Sequence, residues 1–313
     1  MAGSKGVVLA ALFANGAIAI LKFGGFLLTG SPSMLSETYH SVSDTGNQVF
    51  LLVGIRYSEK QSSRRHPFGY GKAQFFYSFL VAVLLFGIAG WESVKHGYDA
   101  IVHGGHGTAG TVSVAGATFP SWYVNVAVLF GAIAFESYAL RKANAEIRSQ
   151  IDQFGWSGLG EAFRKTSDVT SLTAFTEDTI ALLGAGLALV GILLSKATGN
   201  EVYDAVAALL IGLLLMGFAL ALAWENKRLL LGESLPKDVE ADLRDVIRAS
   251  SGVVHVDTFR TVFVGPQEAL VTADVSLDPE FTTEELDDAI TAAETRLKEA
   301  DERVQYVVIE PET

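Results

Sequence analysis

The chain has no cysteine, few prolines and few charges for its length. The absence of cysteine from the 313 residues excludes a disulfide framework, a thiolate metal site and a cysteine nucleophile. With 7 Pro and 31 Gly, the chain is not a low-complexity polymer. Charged residues make up 19% and hydrophobic residues 50%, with a mean hydropathy of +0.33. These values are typical of a membrane protein rather than a soluble domain.

The net charge of −12 is carried entirely by the C-terminal part. From Pro236 onward there are 7 basic and 19 acidic side chains, whereas the first 235 residues hold 16 of each kind. We therefore predict a membrane domain over residues 1–235 and a soluble domain over residues 236–313. An acidic domain on an electroneutral, apolar body argues against nucleic acid as a partner and favours cations.

Apolar stretches long enough to cross a bilayer recur six times. They are Val7–Leu28, Met34–Ile55, Phe75–Val94, Tyr123–Leu140, Leu172–Leu194 and Val202–Trp224. If both termini are cytoplasmic, 13 Lys and Arg fall in cytoplasmic segments, against only Lys95 and Lys196 outside. The excess of positive charge inside supports six transmembrane helices with both termini cytoplasmic. The first stretch lacks the flanks of a signal peptide, so we expect a multi-pass protein of a prokaryotic inner membrane.

The soluble part has the pattern of a small α/β domain. Helical spacing alternates with strand patterns in the order α-β-β-α-β, which is a ferredoxin-like arrangement. The predicted elements are Asp238–Ser250, His255–Val264, Ala269–Leu277, Thr282–Ala300 and Val304–Ile309. Thr282 or Thr283 is placed to cap the second helix, with Glu285 near the third helical position. In the membrane part, Gly97–Pro120 is predicted to be an outer loop.

Polar side chains form a stripe in the second apolar stretch. Glu37, His40, Asp44 and Asn47 are spaced by 3, 4 and 3 residues, which places them on one face of a helix. The fifth stretch contributes the pair Glu177 and Asp178. Imidazole nitrogen together with carboxylate oxygen suits Zn²⁺, Mn²⁺, Fe²⁺ or Co²⁺. The pattern predicts a divalent-metal site between these two helices.

A structural interpretation competes for each residue taken alone. One buried His or Asp is as often an interhelical hydrogen-bonding group as a ligand. Several carboxylates together repel one another unless a cation or protons neutralise them, which favours the metal site for the group as a whole. Lys22, Glu136 and Asp204 also lie in or near spans. Ion pairing, a proton pathway and interhelical hydrogen bonding all remain open for them, and Asp204 could instead cap its helix.

Four motifs in family order make the chain similar to the cation diffusion facilitator family of divalent-metal/proton antiporters. They are Gly30–Leu35 with Glu37 and the His40–Asp44 pair, His66–Lys72 before the third helix, Asp204–Gly212, and Leu229–Ser234 at the exit from the membrane. The segments around His40 and Glu177 most resemble the branch of the mitochondrial/nuclear zinc transporter. The resemblance covers nearly the whole chain and implies a homodimer, joined by a cytoplasmic dimerisation and regulatory domain.

The resemblance also implies a transport site made of two residues four apart on each of two helices. His40 and Asp44 match the first pair, and Asp178 matches the last position. Ala174 stands where many members have a ligand, so the fourth ligand is left open between Asn47 and Glu177. In the loop, Ser63 and Tyr70 replace zinc ligands of some relatives, so His66 is expected to be a loop-packing or membrane-interface residue.

The expected function is export of a divalent transition metal, Zn²⁺ first, in exchange for protons by alternating access. The metal is then cargo, and no permanent cofactor is expected. We also considered a metal-sensing or channel-like membrane protein and a metal-dependent intramembrane hydrolase. Neither a His-Glu-x-x-His pattern nor a Gly-x-Ser-x-Gly elbow is present, so we do not expect an enzyme.

Overall fold

The structure, a computed structural model, describes the backbone of residues 2–104, 110–114, 117–165, 169–266 and 268–312. The chain divides into two compact units. One comprises Met1–Val53 and Ser78–Trp224, and the other comprises Gly54–Tyr77 and Glu225–Thr313. The helices of the membrane part are α1 Ala2–Thr29, α2 Pro32–Ser58, α3 Ala73–Leu84, α4 Trp91–His103, α5 Ser121–Phe154, α6 Leu159–Lys165, α7 Val169–Thr198 and α8 Val202–Leu231.

Six helical segments among the described residues are long enough to cross a membrane. Five of the described segments are long and apolar enough to cross a bilayer: Leu12–Thr29, Ala73–His103, Ser121–Asp152, Ala174–Thr198 and Val202–Leu231. The sixth is α2, whose 27 residues are sufficient in length. Its polar stripe lowers its hydropathy below that of the other five. The most polar membrane helix is therefore the one that carries most of the predicted ligands.

The third membrane segment is longer than its apolar stretch. A π-helical turn, Leu85–Gly90, joins α3 to α4, and the helix ends only at His103. The predicted outer loop from Gly97 to Pro120 was therefore wrong at its start. Its end at Pro120 agrees with the start of α5 at Ser121, and within the loop β1 (Thr111–Val114) and β2 (Ala117–Pro120) pair antiparallel. Residues 105–109 and 115–116 of that loop lie outside the described residues.

Small residues let α4 continue as a helix against α8. A Cβ on Gly97 would lie 2.6 Å from the backbone nitrogen of Leu209, and one on Gly212 would lie 2.6 Å from that of Val94. Close backbone approach through glycine is a common way for helices to pack in a membrane. The hydropathy of the sequence does not record this packing, which explains why the helix end was misplaced.

The apolar side chains of the first unit face both inward and outward. A buried core joins α2, α5, α7 and α8 through residues such as Met34, Leu129, Ile192, Ile211 and Leu215. Many large apolar side chains of the first unit are exposed, including Phe13 and Ile20 of α1, Phe130 of α5, Leu183 of α7 and Leu220 of α8. Exposed apolar faces on long helices are suited to lipid.

The C-terminal domain has the predicted α-β-β-α-β order. Its elements are α9 Lys237–Arg248, β3 Val253–Gly265, β4 Glu268–Leu277, α10 Thr283–Ala300 and β5 Val304–Glu312. The sheet order is β3-β4-β5, with β3 antiparallel and β5 parallel to β4. Alternate residues of β4 are buried in a core with Leu243 and Ile247 of α9 and Leu297 of α10. Thr282 caps α10 in a capping box with Glu285, as the sequence predicts.

The loop between α2 and α3 belongs to the same unit as this sheet. Gly71 is buried, and a Cβ on it would lie 2.6 Å from the Cα of Gly265 at the end of β3. The ring of Phe68 meets Tyr306 of β5 edge-on at 5.4 Å. His66 packs on the ring of Tyr70 at 4.3 Å, as expected for a packing residue.

Candidate metal site in the membrane helices

The polar stripe of α2 is largely buried. Glu37 is fully buried, His40 is 1% exposed and the Asp44 side chain is 16% exposed. His40 Nδ1 lies 3.5 Å from Asp44 Oδ1, one helical turn away. The four-residue spacing accounts for this proximity, because residues i and i+4 are neighbours on a helix face. Imidazole and carboxylate therefore meet on one side of α2.

The imidazole of His40 is buried inside the helix bundle. Among the described residues, neither Nδ1 nor Nε2 has a hydrogen-bond partner. Buried polar atoms are nearly always paired, and each exception calls for an explanation. A neutral imidazole with a free nitrogen is also the commonest metal ligand in proteins. His40 therefore has the burial and the free nitrogens of a ligand.

Glu37 is held by a lysine from the first helix. Lys22 Nζ donates to Glu37 Oε2 at 2.7 Å, and both side chains are fully buried. The other carboxylate oxygen, Oε1, has no hydrogen-bond partner in the described part of the chain. A Cβ on Gly184 of α7 would lie 2.5 Å from this oxygen. Glu37 thus connects α1, α2 and α7.

A second contact joins α2 to α7. Asn47 Nδ2 donates to Glu177 Oε1. Gly184 follows Glu177 by seven residues, which returns it to nearly the same side of α7. Asp178 points about 100° away from Glu177 around the helix. It interacts electrostatically with Glu136 of α5. Glu177 therefore faces α2, while Asp178 lies on a different side of α7.

These contacts bring some predicted ligands together and leave others apart. His40 lies beside Asp44. Asn47 and Glu177, the two candidates for the fourth ligand, are hydrogen-bonded to each other. Across the described residues, no group of three or more His, Asp or Glu side chains is arranged to hold a metal ion. The complete ligand set of His40, Asp44, Asp178 and Asn47 or Glu177 stays a prediction.

Lys22 of α1 and Glu136 of α5 also contribute charge to this region. Asp44 interacts unfavourably with Glu37, Glu136 and Glu177, and favourably with Lys22. Glu136 of α5 is buried and also interacts with Lys22. Lys22 and Glu136 could be noticed in the sequence, because a charged side chain inside an apolar stretch is costly in a membrane. The sequence did not reveal that Lys22 is the cation shared by these carboxylates.

Asp204 lies apart from this group, in the first turn of α8. It is buried and accepts hydrogen bonds from Ser31, at 2.7 Å, and from Ser33. The helix N-terminus is instead capped by Asn200, whose Oδ1 accepts from the backbone of Val202 at 3.0 Å. Asp204 is therefore an interhelical hydrogen-bonding residue that ties the start of α2 to α8.

Comparison with protein families identifies the group to which these helices belong. The family described as the cation efflux transmembrane domain matches residues 8–231. The chain belongs to the cation efflux family. The cation efflux protein cytoplasmic domain matches residues 235–313 of this cation efflux transporter. The resemblance to the cation diffusion facilitator family is thus confirmed, together with a fold of six transmembrane helices and a C-terminal α/β domain.

Curated relatives cover most of this cation efflux protein. Metal tolerance protein C4 of Arabidopsis thaliana is 24% identical over 90% of the chain and 59% of its own length. The mouse protein named proton-coupled zinc antiporter SLC30A9, mitochondrial, is 27% identical over 90% of the chain and 47% of its own length. The chain therefore spans about half the length of these relatives. The manganese efflux system protein MneP of Bacillus subtilis is 23% identical over 98% of the chain and 95% of its own length.

Solved structures similar to the C-terminal part include a nickel form of a variant C-terminal domain of MamM. It is 20% identical, with a TM-score of 0.24, and covers 25% of this chain and 98% of that chain.

Proposed function

We propose that this cation efflux transporter exchanges a divalent transition-metal ion for protons across its membrane. Zn²⁺ is the first candidate, and Mn²⁺, Fe²⁺ and Co²⁺ remain open. The proposed ligands are His40, Asp44 and Asp178, with Asn47 or Glu177 as the fourth. The metal is cargo, so it must bind reversibly from one side and leave on the other.

The observation that carries this proposal is the environment of His40. Its ring is buried in a membrane helix, both ring nitrogens lack a hydrogen-bond partner among the described residues, and Asp44 lies 3.5 Å away. A histidine that served only to join helices would bond to a neighbour. An unpaired imidazole beside a carboxylate is instead ready to accept a cation.

Charge balance supports proton exchange. Asp44 is repelled by both Glu136 and Glu177, and Lys22 already pairs with Glu37. Carboxylates in such surroundings are neutralised by a bound cation or by protons. Because metal ligands must be deprotonated, binding of the metal releases protons, and protons displace the metal. The same site can therefore carry either kind of cargo in alternation.

Ligand chemistry leaves the choice of metal between a few ions. One imidazole with two or three oxygen ligands is harder than a site with two histidines, so Mn²⁺ and Fe²⁺ compete with Zn²⁺. The names of the relatives, a zinc antiporter and a manganese efflux protein, support the same short list.

Orientation and assembly complete the proposal. Both termini would face the cytoplasm, since 13 Lys and Arg then lie inside against two outside. The family that matches the C-terminal residues is described as a cytoplasmic domain, which supports this orientation. The same domain would join two copies as a homodimer. The proposed location remains a prokaryotic inner membrane.

Metal flux in proteoliposomes tests the proposal. Zn²⁺, Mn²⁺, Fe²⁺ and Co²⁺ are compared under an imposed pH gradient, with Asp44→Ala and Asp178→Ala beside the wild type. We expect one metal to move in response to the gradient and both variants to lose that flux. Flux that ignores the gradient would indicate a channel. No flux of any metal, or flux that survives both substitutions, would contradict the proposed site.

The fourth ligand needs a separate pair of variants. Asn47→Ala removes the amide but leaves the Glu177 carboxylate, whereas Glu177→Gln removes the charge but retains a side-chain oxygen. If Glu177 is the ligand, metal affinity falls more in Glu177→Gln. If Asn47 is the ligand, it falls more in Asn47→Ala. Calorimetric metal titration of the purified variants distinguishes the two.

A further inference from the structure

A cavity of about 630 Å³ lies within the second unit, and metal transport makes no use of it. Tyr57, Phe76 and Tyr77 contribute aromatic walls, and Arg65 and Lys72 contribute charge. The volume is in the range of pockets that hold small molecules, which is roughly 300–1,000 Å³. The cavity therefore has room for a ligand of the size of a lipid headgroup.

The charge on the wall has one sign. Arg65 and Lys72 line the cavity, and no carboxylate does so among the described residues. Lys72 is half-buried. Within the ranges that the structure describes, neither side chain has an ion pair or a hydrogen bond. Two unpaired cations that line one cavity favour an anionic ligand, and phosphate is an anion that Arg and Lys commonly bind in proteins.

Aromatic rings lie beside these cations. Tyr57 meets Tyr70 edge-on at 5.4 Å and Tyr77 at 6.5 Å. Phe76 is 53% exposed although it lines the cavity. A free inorganic anion would gain nothing from these apolar surfaces. A ligand that joins a phosphate to an apolar portion would use both the cations and the rings.

The loop that forms the cavity is held in place by contacts of its own residues. Its backbone pairs Ser63 with His66, and Ser63 Oγ lies 3.2 Å from the hydroxyl of Tyr70. Gly71 packs directly on the backbone of Gly265. The cavity is therefore preformed, so binding would not have to order the loop.

The cavity lies where three membrane helices end. Tyr57 is in the last turn of α2, Phe76 is in the first turn of α3, and Leu230 is in the last turn of α8. Tyrosine and other aromatic residues gather at the depth of lipid headgroups, and basic pockets between helices at that depth bind anionic headgroups. Phosphate esters in solution share the phosphate but do not share this depth.

From these observations we propose that the cavity binds the headgroup of an anionic phospholipid. The phosphate would contact Arg65 and Lys72, and the glycerol and upper acyl carbons would lie against Tyr57 and Phe76. The lipid would then connect the ends of the membrane helices to the sheet, because Val264 of β3 also lines the cavity. This site is separate from the metal site and does not depend on the identity of the cargo.

Lipid retention by the full chain tests the proposal. The protein is purified in detergent, incubated with phosphatidylglycerol or phosphatidylcholine, and examined by native mass spectrometry. The double variant Arg65→Gln/Lys72→Gln should retain phosphatidylglycerol roughly 25-fold less than the wild type, since each cation contributes about fivefold to binding of an anionic lipid. The single variants should each lose about fivefold and carry the test if the double variant does not fold.

A matched control comes from two exposed arginines of the same unit that do not line the cavity. Arg56→Gln/Arg64→Gln removes the same charge outside the cavity and should retain phosphatidylglycerol as the wild type does. Equal loss in both double variants would show diffuse attraction to a basic loop and overturn the proposal. No loss in either variant would overturn it as well.

Two further arms separate a lipid from a soluble phosphate ester. Phe76→Ala should retain several-fold less phosphatidylglycerol, because the apolar contact is lost, and glycerol 3-phosphate should not displace the bound lipid. Displacement by glycerol 3-phosphate at equal concentration, or full retention in Phe76→Ala, would overturn the assignment to a lipid and indicate a site for phosphate esters in solution.

Discussion

Lys22 of α1 and Glu37 of α2 form an ion pair of 2.7 Å that is completely buried. Lys22 is also the cation that interacts with Asp44 and Glu136. A fixed ammonium group in this position offsets part of the negative charge of the region when no metal is bound. The pair therefore has two consequences, one for the stability of the helix packing and one for the affinity of the metal site.

We expect Lys22→Met to destabilise the protein strongly. Removal of one partner leaves the Glu37 carboxylate buried without compensation, which costs about 3–5 kcal/mol. The double variant Lys22→Met/Glu37→Gln should recover part of this loss, because no unpaired charge remains. Thermal unfolding in detergent measures both effects. Lys95→Met, at an exposed lysine of α4, is the control. Equal unfolding temperatures for Lys22→Met and Lys95→Met would contradict the importance of the pair.

Gly184→Ala should reduce metal flux. The new Cβ would lie 2.5 Å from Glu37 Oε1, and the carboxylate is restrained by Lys22. Either the carboxylate or α7 must shift, at a cost of about 1–3 kcal/mol. Gly186→Ala is a control on the same helix, since a Cβ there meets nothing within 4 Å. Flux and unfolding temperature should fall only in Gly184→Ala, and matching behaviour of the two variants would refute this account.

His40→Leu should abolish metal binding while the protein remains stable. The imidazole has no hydrogen-bond partner among the described residues, so a leucine of similar size breaks none of the hydrogen bonds there. Burying an apolar side chain in its place is neutral or favourable. Calorimetric titration with Zn²⁺ and thermal unfolding are measured on the same sample. A large fall in unfolding temperature, with metal binding retained, would instead show that His40 joins helices.

Glu285 should contribute a pH-dependent part of the stability of the C-terminal domain. Hydrogen bonds from the backbone and hydroxyl of Thr282 lower the pKa of the Glu285 carboxyl from its ordinary value of 4.5. A lowered pKa in the folded state means that this contribution is present above pH 4.5. It is lost as the pH falls through the lowered folded-state pKa.

Glu285→Gln tests this dependence. The difference in unfolding temperature between wild type and variant should be largest near neutral pH and should shrink below pH 4.5. Glu284→Gln, one residue earlier in the first turn of α10, is the matched control and should not show the same trend. A difference that is constant across the pH range would rule out the hydrogen-bonded carboxylate as its source.

Sequence-based prediction was most successful for features that depend on a few neighbouring residues. The capping box of α10 depends only on Thr282 and Glu285, and the proximity of His40 and Asp44 depends only on helical spacing. It failed at Gly97, where the helix continues because α8 packs against it. Hydropathy indicates which residues can be buried, but it does not indicate which surface buries them.

Composition and periodicity were enough to predict the membrane class, the helical face that carries Glu37, His40 and Asp44, and the order of elements in the C-terminal domain. These features follow from the periods of helix and strand, which are local properties. The folded chain was needed to find that Lys22 pairs with Glu37, that Asn47 donates a hydrogen bond to Glu177 and that Gly71 packs on Gly265. Such contacts depend on the rotation and register of one helix or loop against another, and that relation is set by packing across distant parts of the chain.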